Sequence, residues 1–416
     1  MHPVVERVLQ ACAFVGIGVS GCDIVYAAAG DPGQPYVPVS DQVVLERLPS
    51  TSDPRVRRFD AFRRQVTAKP GDARVALALA NAYLDYGRDT GDARYLGRAQ
   101  AVIAPWLARR PAPNDALLVS ATILQSRHQF AESRRVLQTI LQRDPDNAQA
   151  WLTLSSVALV QGDMREAQRA CAHLLGGSDA LVAAGCIAAR ATVTGNASDG
   201  LQVLEALLQR QAGEDPVIQS WIHGLMADAA KTLGQTRRAD MEFKAALQLT
   251  PGDNFLVADY ADFLLDQGRA REALELTRDY AQSDTSFLRQ VLAESALGLP
   301  QAHADIATMA SRFRDLDQRG DSRLYAREEA RFVLWLLRDP ARALKLAQDN
   351  WRFQRAPEDM RIYLEAALAA GQPASAQPIL DFLRQTPLED STIQALAGQV
   401  ASKTASSASS PADAAH

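Results

Sequence analysis

The sequence predicts an all-α protein, built as a superhelical solenoid of helix hairpins that becomes degenerate towards its C-terminal end. Of the 416 residues, 47% are hydrophobic and only 6% are aromatic, and the abundance of Ala and Leu is typical of helical proteins. The segments that start at Asn114 and at Ala148 align without a gap, 34 residues apart. A fixed period of this length indicates a repeat architecture.

Each repeat has the pattern of two amphipathic helices, with apolar or small residues at positions i, i+3, i+4 and i+7. A single hairpin cannot bury its apolar face, so the hairpins are expected to stack. One residue in each repeat is expected to form the turn between the two helices. These residues are Gly87, His128, Gly162, Gly195, Gly234 and Gly268, at separations of 41, 34, 33, 39 and 34 residues.

The first repeat is longer than the others. About seven residues are inserted between Arg88 and Gly97, and because turn formers such as Asp89 and Gly91 dominate there, a lengthened inter-helix loop is expected, either a binding loop or an idle insertion. Upstream, Val56, Phe59, Phe62 and Val66 share one helical face and predict an N-terminal capping helix.

The repeat closely resembles the tetratricopeptide repeat, a helix-turn-helix of 34 residues. The unit at Ser220 keeps the small, bulky and proline positions of that family, and the unit at Asn254 keeps most of them. The matching residues are Gly234, Ala239, Phe243, Ala246 and Pro251, then Tyr260, Ala261, Leu264, Gly268, Ala273 and Tyr280. The resemblance implies a right-handed superhelix with a concave groove.

The chain divides into five predicted parts. Residues 53–285 are the repeat array with its capping helix, and residues 286–400 are degenerate helical repeats with a C-terminal cap. Residues 401–416 are small, polar and rich in helix breakers, which predicts a disordered tail. Residues 1–29 are predicted to be a signal segment and residues 30–52 an extended linker.

The signal segment VGIGVSGCDIVYAAAG has two processing solutions. Val19 to Cys22 resembles a bacterial lipobox, in which Cys22 would be lipidated, whereas Ala27 to Ala29 form a small-residue cleavage site. Both solutions predict a periplasmic protein, and the first adds a lipid anchor in a bacterial membrane. The n-region is poor, with Arg7 as its one side-chain cation. A cytoplasmic protein with an ordinary N-terminal helix is the alternative.

Two further cysteines, Cys171 and Cys186, lie seven to eight residues on either side of a predicted turn between two repeats. On antiparallel neighbouring helices they could face each other. In an oxidising compartment they are candidates for a disulfide. The alternative is a pair of small buried apolar residues at tight helix contacts.

The sequence contains no pattern typical of catalysis. The six histidines are dispersed, and no nucleophile elbow, phosphate loop or metal-ligand spacing is present. The acid pair Glu328-Glu329 stands beside arginines and predicts a solvated ion-pair face. A net charge of −5 argues against nucleic-acid binding. We therefore expect neither enzymatic activity nor a cofactor or metal.

The groove is the remaining functional surface. By the register of the resemblance, the first helix of each repeat lines it with mainly apolar residues and scattered acids, which suits an amphipathic helix or an extended segment of a partner. The absence of a basic cluster argues against the clamp by which some family members bind an acidic C-terminus. The groove candidates are Leu118, Thr122, Gln125, Leu152, Ser156, Leu159, Trp221, Asp228, Phe255 and Asp262. These residues could instead simply pack the next helix.

The function predicted from the sequence is that of a non-catalytic scaffold or adaptor. It would bind a protein or peptide partner and no nucleic acid, as an assembly or membrane-associated factor. A cytosolic regulatory adaptor and an enzyme with a repeat-built pocket are the two alternatives.

Overall fold

The computed structural model of the protein describes residues 53–177, 179–210, 215–318, 320 and 322–408. Cys22, the predicted signal segment 1–29 and the predicted linker 30–52 lie outside these residues. The described part is helical throughout and contains no strand, so the predicted all-α solenoid of helix hairpins is confirmed.

Twenty α-helices follow one another along the described chain, with short 3-10 turns at Arg278–Tyr280, Ser322–Tyr325 and Pro373–Ala376. The helices are α1 (Pro54–Ala68), α2 (Ala73–Thr90), α3 (Arg94–Leu107), α4 (Asn114–Ser126), α5 (Phe130–Arg143), α6 (Ala148–Val160), α7 (Met164–Leu174), α8 (Ala180–Val193), α9 (Ala197–Arg210), α10 (Pro216–Thr232), α11 (Thr236–Leu249), α12 (Asn254–Asp266), α13 (Ala270–Thr277), α14 (Asp284–Ala296), α15 (Gln301–Gln318), α16 (Ala326–Trp335), α17 (Pro340–Trp351), α18 (Pro357–Ala369), α19 (Gln377–Gln385) and α20 (Ser391–Ala408).

The helix starts are encoded locally by aspartate and asparagine. The Asp72 carboxylate accepts a hydrogen bond from the Arg74 backbone N–H before α2, and Asn147 does the same for Ala150 before α6. Such caps satisfy backbone donors that have no partner inside the helix. The same arrangement recurs at Asp53, Asp163, Asp179, Asp215, Asp253 and Asp339.

Helices α2 to α19 form nine consecutive hairpins, and a residue with positive φ lies between the two helices of each. Seven of these nine residues are glycines, for which the left-handed conformation carries no Cβ penalty. They are Gly91, His128, Gly162, Gly195, Gly234, Gly268, Gly298, Arg338 and Gly371. The turn positions of the sequence from His128 to Gly268 therefore hold in the structure, and three further hairpins follow in the degenerate part.

The first hairpin differs from the prediction. Gly87 lies inside α2, and the turn residue is Gly91, with φ of 69°. The inserted residues lengthen α2 to 18 residues and leave a short turn before α3. The expected long loop is therefore wrong. Asp89 and Thr90 complete the last turn of the helix, where the Thr90 hydroxyl donates to the carbonyl of Tyr86.

The superhelix closes on itself along a seam between its early and late hairpins. A Cβ at Gly91 would lie 2.6 Å from the Ser283 hydroxyl, and one at Gly162 would lie 2.8 Å from the Phe382 ring. A Cβ at Gly195 would overlap the carbonyl oxygen of Pro387. We call these three glycines and their three partners the seam.

Hydrogen bonds donated by backbone N–H groups reinforce the seam. The Arg355 N–H donates to the carbonyl of Val160 at 2.8 Å, and the Ala197 N–H donates to the Glu389 carboxylate at 3.1 Å. Both bonds join residues nearly 200 positions apart in the sequence. The early and late parts of the array are therefore held directly against each other.

The C-terminal end also differs from its prediction. Helix α20 runs to Ala408, whereas a disordered tail was expected from residue 401. The Thr404 and Ser406 hydroxyls donate to the carbonyls of Val400 and Ser402, one helical turn earlier. Ala401, Ala405 and Ala408 belong to the same stretch. Alanine is the best helix former, so this polar, small-residue stretch continues the helix.

Candidate binding lumen

The inner face of the superhelix encloses three successive cavities, which we call the lumen. Their volumes are 100, 250 and 420 Å³. The first and second cavities share Trp221 and Leu225, and the second and third share Asp259, Asp262 and Glu358. Most of the lining comes from the first helices of the hairpins, because these helices face inward in the stack.

Eight of the ten groove candidates line the lumen. Four line the first cavity alone, and the other four line the second cavity, Trp221 being shared by both. They are Gln125, Leu152, Ser156 and Leu159, then Trp221, Asp228, Phe255 and Asp262. Leu118 and Thr122 are buried instead: Leu118 packs in the core around Leu137 and Ile140, and the Thr122 hydroxyl donates to the Leu118 carbonyl. The positions thus surround an enclosed lumen rather than an open groove.

Glycines make room for the aromatic wall of the second cavity. The Trp221 ring rests on Gly185, where a Cβ would lie 2.5 Å from it. At Gly224, one helical turn along α10, the nearest heavy atom to a Cβ would be Leu256, 3.9 Å away. Gly224 therefore faces open space in the second cavity.

A buried ion-pair network forms one wall of the lumen. Asp262 of α12 accepts hydrogen bonds from Arg289 of α14 at 2.6 Å and from Arg331 of α16 at 2.5 Å. Burial would raise the pKa of Asp262, but the two guanidinium groups outweigh it and hold that pKa below its ordinary value. Glu328 lies behind this pair and accepts from Arg289 at 2.5 Å.

The acid pair Glu328-Glu329 forms ion pairs, as expected from the sequence. The prediction that this face is solvated is wrong, because both residues are buried. Glu328 is 5% exposed and Glu329 is 7% exposed. Burial would raise the pKa of Glu328, yet the neighbouring Arg289 and Arg331 lower it below its ordinary value. Because the superhelix closes, a helix face that reads as surface in the sequence is covered by other hairpins.

Lys231 forms the second charged contact across the lumen. Its ammonium group lies 3.1 Å from Asp228 on its own helix and 3.6 Å from Glu358 on α18. Burial would lower the pKa of Lys231, but Asp228 and Glu358 raise it well above its usual value. This lysine therefore stays charged and links the early and late parts of the array.

Asp259 is the exception among the lumen carboxylates. Within the described residues, no hydrogen bond or ion pair is formed by its side chain, which solvent reaches inside the lumen. Desolvation by the surrounding protein, followed by the nearby Asp228, raises the pKa of Asp259 to about 8, against the opposing effect of Lys231. The negative charge of Asp259 is therefore only weakly balanced by the surrounding protein.

Sequence reasoning missed Asp259 and the lumen residues contributed by the C-terminal half, such as Arg327, Arg331 and Arg361. The one signal for them was the density of arginines and acids on the first helices of the degenerate repeats. That signal identifies lumen residues only when it is known that α16 and α18 lie opposite α10 and α12.

The structure brings Cys171 of α7 and Cys186 of α8 together, with their sulfur atoms 2.10 Å apart and their Cα atoms 5.6 Å apart. Each is 2% exposed. The sulfur atoms are at the distance of a disulfide bond. In the reduced alternative the two thiols would stand further apart and remain packed as small apolar residues.

The described residues contain no group of His, Cys, Asp and Glu side chains that could hold a metal ion. In the same part of the chain, no helix is both long and apolar enough to cross a membrane.

Comparison with known proteins supports the repeat directly. The tetratricopeptide repeat family model matches residues 124–176, from the end of α4 to the turn after α7. No curated protein sequence matches the chain.

Solved structures similar to the chain include three helical-repeat proteins. The human IFIT1 dimer with m7Gppp-AAAA is 11% identical, over 84% of this chain and 86% of that chain, with a TM-score of 0.45. The APC/C hetero-tetramer Cut9-Hcn1 is 10% identical, over 84% and 74%, with a TM-score of 0.46. Yeast Tom70 is 10% identical, over 84% and 94%, with a TM-score of 0.30. The chain thus contains a tetratricopeptide repeat within an all-α solenoid.

Proposed function

We propose that the protein is a non-catalytic adaptor that binds an extended segment of a partner protein in its lumen. The observation that carries this proposal is the run of three connected cavities along the first helices of the hairpins, from Gln125 to Glu358. An α-helix with its side chains is about 10–12 Å wide, so cavities of 100 to 420 Å³ fit individual side chains of an extended chain better than a whole helix.

The lumen also has the chemistry of a recognition site. Trp221 and Phe255 supply apolar surface in the second cavity, and charged groups stand beside them. Binding sites of this kind combine a mainly apolar wall with a few placed polar groups.

The test is to fill the lumen without disturbing the fold. Gly224→Phe places a ring in the second cavity, where a Cβ meets no atom closer than 3.9 Å. Gly398→Phe is the matched control: Gly398 also lies within a helix, α20, it is exposed, and a Cβ there meets nothing within 4 Å.

Cross-linking followed by mass spectrometry in the source cells would compare the two variants. We expect the wild type and Gly398→Phe to capture the same partner peptides and Gly224→Phe to lose them. If both folded variants capture the partner peptides equally, the lumen is not the binding site.

For its location, we infer export to the periplasm, with Cys22 as a lipidated N-terminus. The support is the lipobox-like run Val19 to Cys22 and the polar linker after it. Palmitate labelling of the wild type and of Cys22→Ala tests the anchor, and labelling is expected only in the wild type. An unlabelled wild type recovered from the cytosol with reduced cysteines would contradict export and favour a cytosolic adaptor.

A further inference from the structure

Most charges of the lumen are paired with a group of the opposite sign. Arg88 contacts Asp253, Arg361 contacts Asp266 and Lys231 contacts both Asp228 and Glu358. Arg289 and Arg331 share Asp262 and Glu328, and Arg327 approaches Glu328 and Asp359. The cations that line the second and third cavities are thus all engaged, so the lumen has no free cation for an anionic ligand.

Two lining carboxylates form no ion pair in the described part of the chain. Asp390 accepts a hydrogen bond from the Ile393 N–H, whereas Asp259 forms neither a hydrogen bond nor an ion pair. Asp259 lies where the second and third cavities meet, and it lines both of them. Trp221 stands in the wall of the second cavity, and no cation of the described residues lies over its ring. A carboxylate and an aromatic surface that line the same cavity both favour a cationic side chain with an aliphatic stem.

We propose that Asp259 and Trp221 form a subsite for a lysine or arginine side chain of the partner segment. This rests on the proposed function, since it names the chemistry that the same lumen would recognise. The bound cation would complete the ion pairing that Asp259 lacks, and its aliphatic stem would lie against the apolar wall formed by Val217, Leu225 and Leu256.

The second cavity has the right size for this ligand. Its 250 Å³ hold one long side chain and part of the adjoining backbone, and the third cavity continues beyond Asp259 with 420 Å³. A charged ligand that enters this space loses water and gains a contact with a fixed carboxylate. The affinity therefore increases only for a ligand of positive charge.

The subsite implies a pH dependence. Asp259 is faced by Asp228 and Lys231 of α10 and by Glu358 of α18, with Asp262 on its own helix, and its pKa is raised to about 8. Below that pH the free subsite is protonated. Binding of a cation then releases a proton, and affinity increases as pH rises from 6.5 to 8.5.

The probes are three acetylated, amidated pentapeptides, Ala-Ala-X-Ala-Ala, in which X is lysine, norleucine or glutamate. Titration calorimetry at pH 8.5 is expected to show at least tenfold tighter binding of the lysine peptide than of the norleucine peptide. Asp259→Asn should reduce this preference to about twofold or less. The variant breaks no ion pair of the described residues, so its fold should be kept. Asp349→Asn removes a half-buried acid of α17 that lies outside the lumen and pairs with Lys345 and Arg352. It is the control for overall charge and should leave the preference intact.

Three results would overturn the subsite. If the lysine and norleucine peptides bind equally, and Gly224→Phe abolishes both, the lumen binds peptides without selecting a cation, and the proposed function stands. If no peptide of the set binds, the cation subsite is also excluded, while the role of the lumen is still decided by the cross-linking comparison. If Asp349→Asn lowers the preference as much as Asp259→Asn does, the effect is one of overall charge.

Discussion

The hairpin turns fall into two groups that share a backbone conformation and differ in their surroundings. Gly195 and Gly234 have φ of 76° and 68°, and both precede the second helix of a repeat. A Cβ at Gly195 would overlap Pro387 of the late array, whereas a Cβ at Gly234 would meet nothing within 4 Å. The repeat motif explains φ at both positions, and the closed superhelix explains the crowding at one of them.

The same division runs through the whole array. The turns at Gly91, Gly162 and Gly195 lie on the seam, and the turns at Gly268 and Gly371 are open like Gly234. A glycine in this family of turns can therefore be required twice, once for its conformation and once for the space above it. Comparing the two groups separates the stability of a hairpin from the stability of the closed superhelix.

The largest expected effect comes from alanine at these turns. Gly195→Ala should lower the free energy of unfolding by about 4 kcal/mol, because left-handed backbone strain of 1–2 kcal/mol is added to steric overlap of similar or larger size. Gly234→Ala carries the strain alone and should cost about 1–2 kcal/mol. Urea unfolding followed by circular dichroism measures both. Equal losses in the two variants would mean that the seam is not closed.

The second effect concerns a cross-link away from the seam. If Cys171 and Cys186 form a disulfide, it closes a loop with a sequence separation of 15, and its loss should cost about 3 kcal/mol. Reductant should lower the melting temperature of the wild type. It should leave a Cys171→Ala/Cys186→Ala variant unchanged.

The seam should be unaffected by this change. Hydrogen exchange at the Arg355 N–H, which donates to Val160 across the seam, is expected to stay slow in the reduced protein. A wild type that melts at the same temperature with and without reductant would show that the two cysteines are simply packed.

The smallest effect is a pH dependence at the one early turn that is not a glycine. His128 has φ of 53°, is 4% exposed and stacks on Phe130. Burial, followed by the positive charges of Arg327 and Arg323 from the late array, lowers the pKa of His128 to about 3.

Because the unfolded histidine has a pKa of about 6.5, it binds a proton before the folded one does. Folding stability from this residue is present above pH 6.5 and is lost as the pH falls towards 3. His128→Asn, which tolerates positive φ, should remove about 2 kcal/mol of the decrease between pH 7 and 5. His173→Asn, at an exposed site on α7, should leave the decrease unchanged.

The hairpins were predictable from the sequence because their determinants are local. The 34-residue period places the turns at His128, Gly162, Gly195, Gly234 and Gly268 where the structure has them. The turn at Gly91 was missed, because the sequence does not reveal whether inserted polar residues lengthen a loop or a helix.

The seam and the charged lumen could not be predicted in this way. They depend on small rotations between successive repeats, which accumulate over the array and bring residues such as Val160 and Arg355 together. First-helix positions such as Trp221 and Asp228 could be assigned to the inner face. The opposite wall could not, because it comes from α16 and α18, where the repeat pattern is lost.

A photo-cross-linking amino acid at Asn196 tests the closed superhelix most directly, with Gln235 as the matched position. Both are exposed and follow a turn glycine, but Asn196 lies between the Gly195–Pro387 contact and the Ala197–Glu389 hydrogen bond. Closure predicts that the label at Asn196 cross-links to the peptide containing Pro387 and Glu389, and that the label at Gln235 does not. A label at Asn196 that gives no cross-link to that peptide would show an open solenoid and would contradict the enclosed lumen.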